Sequence, residues 1–357
     1  MRTKQELPLA HSQDRRGFLR ATLAAALAAT WAPRLTAAPP PRRLLKPRRL
    51  KEGATVGLVS PASASWLGEE IDILRDTVAA LGLKPRLAPH ALDRYGYLAG
   101  RDADRAADLN AMFADDSVDA ILCVRGGWGS NRLLQRLDYA TIAAHPKILV
   151  GYSDITALLN AIHARTGLVT FHGPVGVSSW SRFSLEAFRR LLFQGEAGTL
   201  EPPRPPAETL VQTKDRVRTL TPGVATGRLL GGNLTVLAAM LGSEFLPEWS
   251  GSILFLEDTR ENIYRVDRML TQLKLAGVLD RISGFVFGKC TQCTPGDGYG
   301  SLTLEEVLAD HILPLKVPAW HGAMIGHVDQ QFTLPLGIPA RIDAGRGSIT
   351  LLEPAVL

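Results

Sequence analysis

Ser130 stands in the run Arg125-Gly-Gly-Trp-Gly-Ser-Asn-Arg-Leu-Leu134, just after a short apolar segment, Val118 to Val124. Apolar residues over that length read as a buried strand, and Gly126, Gly127 and Gly129 as the turn out of it. Ser130 to Leu137 then reads as a helix. Such a junction lifts one side chain above the C-terminal edge of a sheet. It also turns the free N–H groups of the helix's first turn toward whatever sits there. A serine so placed is a candidate nucleophile, with backbone donors at hand for an oxyanion. Its plainer role is the N-cap of an ordinary helix.

A serine nucleophile needs a base, and the base needs an acceptor to orient it. His327 follows the apolar stretch that ends at Ile325 and precedes a polar loop, which suits the mouth of a cleft. Its alternative is a histidine held in a hydrogen-bonded turn. Glu257 closes the apolar run Ile253-Leu-Phe-Leu256. An acid in that position is costly to bury unless something pairs it, and a histidine would do so. A salt bridge to Arg260 or Arg265 is the competing reading. His172 is a rival base, although the Gly173-Pro174 behind it favours a structural turn. Cys290 and Cys293 have a redox or metal spacing, but no second such pair accompanies them, so a four-ligand zinc site is not expected. A disulfide between them is compatible with an exported protein. Phosphate-loop, dinucleotide and zinc-protease motifs are absent, and no metal or cofactor is expected.

The elements that would position these groups alternate. Thr55 to Ser60, Lys84 to Ala88, Val118 to Val124, Lys147 to Gly151 and Leu168 to Phe171 read as strands. Helical patterns, among them Gly68 to Leu81, Asp102 to Phe113 and Asp154 to Thr166, fall between them. That order predicts an α/β fold with a parallel sheet and helices flanking it. Ser130, the Tyr152-Ser153-Asp154 triplet and His172 all fall at C-terminal strand ends, where such sheets gather their active groups. The prolines at 202, 203, 205 and 206 mark a linker, 195–225. Residues 52–194 are then an N-terminal domain carrying the nucleophile. Residues 226–357 are a smaller α/β domain, rich in strands, that carries the glutamate and the histidine.

The first 38 residues stand apart. Arg15-Arg16 with Phe18-Leu19 precedes the alanine-rich run Ala21 to Ala32 and the small residues Thr36 to Ala38. This is the layout of a twin-arginine export signal. The run is too short for a lasting membrane span. A basic, proline-rich leader, 39–51, follows, and a periplasmic or otherwise exported protein is expected. With 357 residues, 46% of them hydrophobic, the chain has material for about two domains. Its net charge of +5 comes with a basic leader rather than with a basic stripe on a domain, so nucleic acid is not an expected partner.

Several blocks together resemble the LD-carboxypeptidase family. They are Arg125 to Leu134, Gly151-Tyr-Ser-Asp-Ile-Thr-Ala-Leu-Leu159, Thr170-Phe-His-Gly-Pro174, Gly231-Gly-Asn-Leu234, Leu256-Glu-Asp258, Tyr264 to Leu270, and Gly326-His327 with Thr333 to Gly337. They occur in family order across residues 52 to 350. The family also includes hydrolases that give immunity to a peptide–nucleotide antibiotic of the microcin C type. The resemblance implies a Ser–Glu–His triad, carried onto Ser130, Glu257 and His327, at the interface of the two domains.

The activity it implies is removal of the terminal D-alanine from a murein tetrapeptide, or from a larger muropeptide, through an acyl-enzyme. Gly127 and Asn131 would supply the oxyanion donors. Arg125 would orient a substrate carboxylate or brace the turn, and Trp128, where a tyrosine is usual, would shape the pocket. A homodimer is compatible with this reading. Two alternatives stand beside it. One is a hydrolase of peptide–nucleotide amides, with Trp180 or Trp320 as an aromatic clamp. The other is a non-catalytic periplasmic binder of muropeptides.

Overall fold

The computed structural model describes residues 43–203, 211–296 and 300–357; the export-type segment and residues 39–42 of the basic leader lie outside them. The rest of the expected leader is corrected to part of the fold, since Leu45 exchanges backbone hydrogen bonds with Gly167 and Val169, and Leu50 is buried with its N–H on the Leu192 carbonyl. Among the described residues, no helix is long and apolar enough to cross a membrane. The first strands are β1 (Thr55–Val59), β2 (Lys84–Leu87), β3 (Ala120–Cys123), β4 (Ile148–Gly151) and β5 (Phe171–His172). Next come β6 (Thr199–Leu200), β7 (Arg218–Thr221), β8 (Val224–Asn233), β9 (Ile253–Thr259) and β10 (Gly284–Thr291). The chain closes with β11 (Ala319–His321), β12 (Leu334–Pro335), β13 (Pro339–Asp343) and β14 (Ser348–Leu351).

These strands build two sheets, ordered β12-β5-β4-β3-β1-β2 and β6-β14-β13-β8-β9-β10-β11-β7. In the first, β1 to β5 are parallel, with helices Gly68–Ala80, Asp102–Ala114 and Thr156–Thr166 connecting them. The fold is α/β in two parts, a parallel sheet with flanking helices and a second, strand-rich part with a mixed sheet. Within the latter, β8 to β11 are parallel, and antiparallel strands complete both edges.

Several local expectations are corrected. The strand expected over Val118 to Val124 is paired only at Ala120–Cys123, and the helix expected from Ser130 to Leu137 is a 3-10 helix, Ser130–Arg136. The stretch 195–225 is more than a connection, because it supplies β6 and β7 to opposite edges of the second sheet. Pro202 and Pro203 come just after β6, and without an N–H they cannot extend its ladder. In the reverse direction, β12 leaves the second part of the chain and pairs antiparallel with β5, Leu334 opposite His172.

The sequence of β9 shows how the two sheets meet. Its side chains alternate, as in any strand. Ile253 and Phe255 join the large core shared with the first sheet, while Leu254 and Leu256 pack with the helices Ile263–Leu275 and Leu304–Ile312. Glu257 continues the Ile253 and Phe255 face, so the alternation that builds the core also aims its carboxyl at the interface between the sheets.

Candidate active site

Glu257 is fully buried at the end of β9. Its Oε2 lies 2.8 Å from His327 Nδ1, and its Oε1 accepts from Asn233 Nδ2 at 3.2 Å. Gly326, with φ +83°, brings the histidine loop onto this carboxyl; a Cβ there would stand 2.0 Å from Glu257 Oε2. The glycine is therefore required twice, by its backbone conformation and by the absence of a side chain. From the other side, Thr291 Oγ1 donates to the His327 carbonyl at 2.8 Å, and the ring of Tyr152 stands edge-on to the imidazole, centroids 4.9 Å apart.

The free face of the imidazole meets a serine, and that serine is Ser153. Its Oγ lies 3.1 Å from His327 Nε2. Ser153 follows β4 with only Tyr152 between, then opens the 3-10 turn Ser153–Ile155 that runs into helix Thr156–Thr166. Its φ is +63°, a left-handed conformation that a non-glycine residue adopts at a cost of about 1–3 kcal/mol and that clusters at functional sites. Gly126 lies against it, since a Cβ on Gly126 would be 2.8 Å from Ser153 Cβ.

The assignment of the nucleophile to Ser130 is therefore corrected. Ser130 is fully buried, its hydroxyl donates to the Asp154 carbonyl, and its N–H donates to Asp154 Oδ2 at 2.7 Å. It braces the turn that presents Ser153. The physical reason lies in the length of the glycine turn. Six residues separate Cys123, the end of β3, from Ser130, enough to fold the chain back under the sheet edge, whereas Ser153 leaves its strand almost at once. Arg105 completes the support, fully buried and donating to the carbonyls of Pro61 and Gly129. Asp154 is buried beside it; desolvation raises its pKa, opposed by the hydrogen bonds from Ser130 and Gly129.

The remaining expected residues divide. Gly127, Trp128 and Asn131 line a cavity of about 170 Å³ together with Ser153 and Asp154. Trp128 is 46% exposed there. Arg125 is tied to Glu70 and to the Ala64 carbonyl, each at 3.4 Å, and so braces the turn. His172 is fully buried and stacked edge-on between Tyr152 and Phe255; burial lowers its pKa to about 4, and it makes no bond to either serine. Glu261 is held by Thr235 and Arg265. Asp258, on the opposite face of β9 from Glu257, binds Asn233 and Thr235, and burial with the charge of Glu257 raises its pKa to about 6. Trp320 is core, whereas Trp180 lines a cavity with Tyr152 and His327. Cys290 and Cys293 form a disulfide at the end of β10.

The geometry offers a base whose tautomer is fixed by a buried carboxyl and a hydroxyl on a strained turn within its reach. Residues 56–173 match the family model of the LD-carboxypeptidase N-terminal domain, and residues 226–342 that of its C-terminal domain. A probable murein peptide carboxypeptidase of Bacillus subtilis is 39% identical over 84% of this chain and 91% of its own length. A murein tetrapeptide carboxypeptidase of Pseudomonas aeruginosa is 35% identical over 82% and 94%. Among solved structures, the microcin C7 self-immunity protein MccF superposes with a TM-score of 0.79 at 29% identity, covering 88% of this chain and all of that one.

Proposed function

The chain belongs to the LD-carboxypeptidase family and is a serine-type carboxypeptidase, and from that premise we propose that it removes the terminal D-alanine of murein tetrapeptides through an acyl-enzyme on Ser153. The observation that carries the reading is the unbroken line from Glu257 to His327 to Ser153, with separations of 2.8 and 3.1 Å. Glu257 accepts from Nδ1–H, which leaves the Nε2 lone pair facing the serine hydroxyl. His327 takes the Ser153 proton as Oγ attacks the carbonyl of the L,D-peptide bond. The backbone N–H of Gly127 receives the oxyanion together with that of Asp154, the residue after the serine, which takes the place expected for Asn131 when the nucleophile was set at Ser130. The imidazolium then protonates the leaving nitrogen, the C–N bond breaks and D-alanine departs. Water, deprotonated by the same histidine, releases the shortened peptide and restores the serine.

A specific observation favours a second reading. The structural relative MccF has been solved with aspartyl sulfamoyl adenosine, and in this chain Trp180 stands in the wall of a cavity that also contains His327. One experiment separates the two. Purified tetrapeptide and aspartyl sulfamoyl adenosine are each incubated with the protein and with Ser153→Ala, and the products are weighed by mass spectrometry. Loss of one alanine from the tetrapeptide, by the wild type alone, is the expected result. Cleavage of the nucleotide conjugate with an untouched tetrapeptide moves the enzyme to the second reading.

We extend the proposal to place. The paired arginines at 15 and 16 send the enzyme out of the cytoplasm, to stem peptides of the wall or to their released fragments. A reporter fused after residue 51 is expected outside the cytoplasmic membrane, and inside when both arginines become lysine. An intracellular reporter in both cases removes this part.

A further inference from the structure

Three cavities border the Ser153–His327 pair. The one of about 170 Å³ around Ser153 carries the carboxyls of Asp154, Asp258 and Glu261. The one of about 280 Å³ under Tyr152 and Trp180 has His327 and Asp329 in its wall. Among the described residues, neither is lined by a lysine or an arginine. The third, about 650 Å³, also has His327 in its wall and is lined by Lys214, Arg216, Arg218 and Lys289. Asp215, Glu305 and Asp329 line it too, so its cations outnumber its acids, and Asp215 is already paired with Lys289. Arg218 is fixed on β7, opposite His321 in the ladder.

A carboxypeptidase cleaves the bond next to a free terminal carboxylate. That carboxylate lies one residue beyond the carbonyl under attack, a reach of about 3.8 Å along the chain. It needs a cation or several donors, since a carboxylate drawn from water without a partner is strongly unfavourable. The acid-lined cavity repels it, and the Trp180 cavity offers no fixed positive charge. Arg125, tied to Glu70, lines none of the three. Lys289 is placed differently. Its neighbour Gly288 packs on Glu257, where a Cβ would stand 3.2 Å from the Glu257 Cβ. Two residues on, Thr291 holds the His327 carbonyl.

We propose that Lys289, with Arg216 and Arg218 around it, receives the terminal carboxylate of the substrate in the cavity between β7 and β10, and so makes the enzyme an exopeptidase. Asp215 holds the ammonium at the cavity wall and shares it with the incoming carboxylate. The need for a carboxylate anchor comes from carboxypeptidase chemistry; only the peptide used to test it rests on the murein reading above.

The test compares kcat/KM for the tetrapeptide as free acid and as its C-terminal carboxamide, with wild type, Lys289→Gln and Arg218→Gln. A charge-assisted hydrogen bond predicts that wild type prefers the acid by roughly 10- to 100-fold, mostly through KM. In Lys289→Gln the acid-to-amide ratio falls toward one, and in Arg218→Gln, at the sheet edge, it falls partway. An amide cleaved as well as the acid by wild type overturns the proposal, and so does a Lys289→Gln enzyme that keeps the preference. If wild type cleaves neither peptide, the murein reading fails separately. Binding of N-acetyl-D-alanine against N-acetyl-D-alaninamide then decides the anchor: binding of the acid alone supports it, and equal or absent binding overturns it.

Discussion

Ser153→Ala is expected to lower kcat by roughly five to six orders of magnitude, while Ser130→Ala keeps turnover within about tenfold of wild type. Both serines sit beside glycine turns at strand ends, and their environments separate them. The Ser153 hydroxyl faces a histidine nitrogen, and its backbone is held at a positive φ that only the surrounding structure makes tolerable. Removing that oxygen removes the attacking atom. The Ser130 hydroxyl is spent on the Asp154 carbonyl. Its loss leaves a buried acceptor short of a donor, which costs about 1–3 kcal/mol of stability rather than the chemistry. The Ser130 N–H, which a substitution does not remove, still holds Asp154 Oδ2. Thermal unfolding should therefore register Ser130→Ala more clearly than the assay does. A Ser130→Ala enzyme that folds normally but is as inactive as Ser153→Ala would return the nucleophile to Ser130.

The interchange of these serines shows which physics a sequence exposes. Alternation of apolar runs with amphipathic ones is a local property, and it made the parallel sheet readable from Thr55 onward. Glu257 was readable for the same reason, because an acid after four apolar residues has to be buried and paired. His327 stood out as a polar residue where a buried stretch ends. The choice between Ser130 and Ser153 depends on something not local, namely which turn the second sheet approaches. One signal was present in the chain. Gly151-Tyr152-Ser153 puts the serine two residues past the strand and at the start of a helix, the shortest form of the junction, whereas the run from Val124 to Gly129 is long enough to bury Ser130 behind it. The strands of 195–225 were hidden for another reason. Each is short and half-exposed, at a sheet edge built by partners far away in sequence, and prolines between them gave the whole segment the look of a linker.

Glu257→Gln is expected to leave a folded protein whose kcat falls by about 10³- to 10⁴-fold. The substitution keeps the shape and changes the hydrogen-bond sense. As a carboxylate, Glu257 accepts from His327 Nδ1–H with one oxygen and from Asn233 Nδ2 with the other. An amide cannot do both. With its NH₂ toward the ring, Nδ1 must become the acceptor and the proton moves to Nε2, where it points at Ser153 and blocks proton abstraction. With its carbonyl toward the ring, its NH₂ meets the NH₂ of Asn233, and two donors oppose each other in a site closed to water. Asp258 supplies an independent check. Its pKa is raised to about 6 by burial and by the charge of Glu257. A carboxyl with a raised folded pKa holds more protons in the native state, so its contribution to stability is lost as pH rises from about 4 to about 6. Removing the Glu257 charge lowers that pKa, and the variant should lose less stability than wild type across the same interval. Denaturation at pH 4 and pH 7 measures this without reference to activity. A variant of normal activity would take Glu257 out of the catalytic line, and an inactive variant with an unchanged pH profile would place its effect on the histidine tautomer alone.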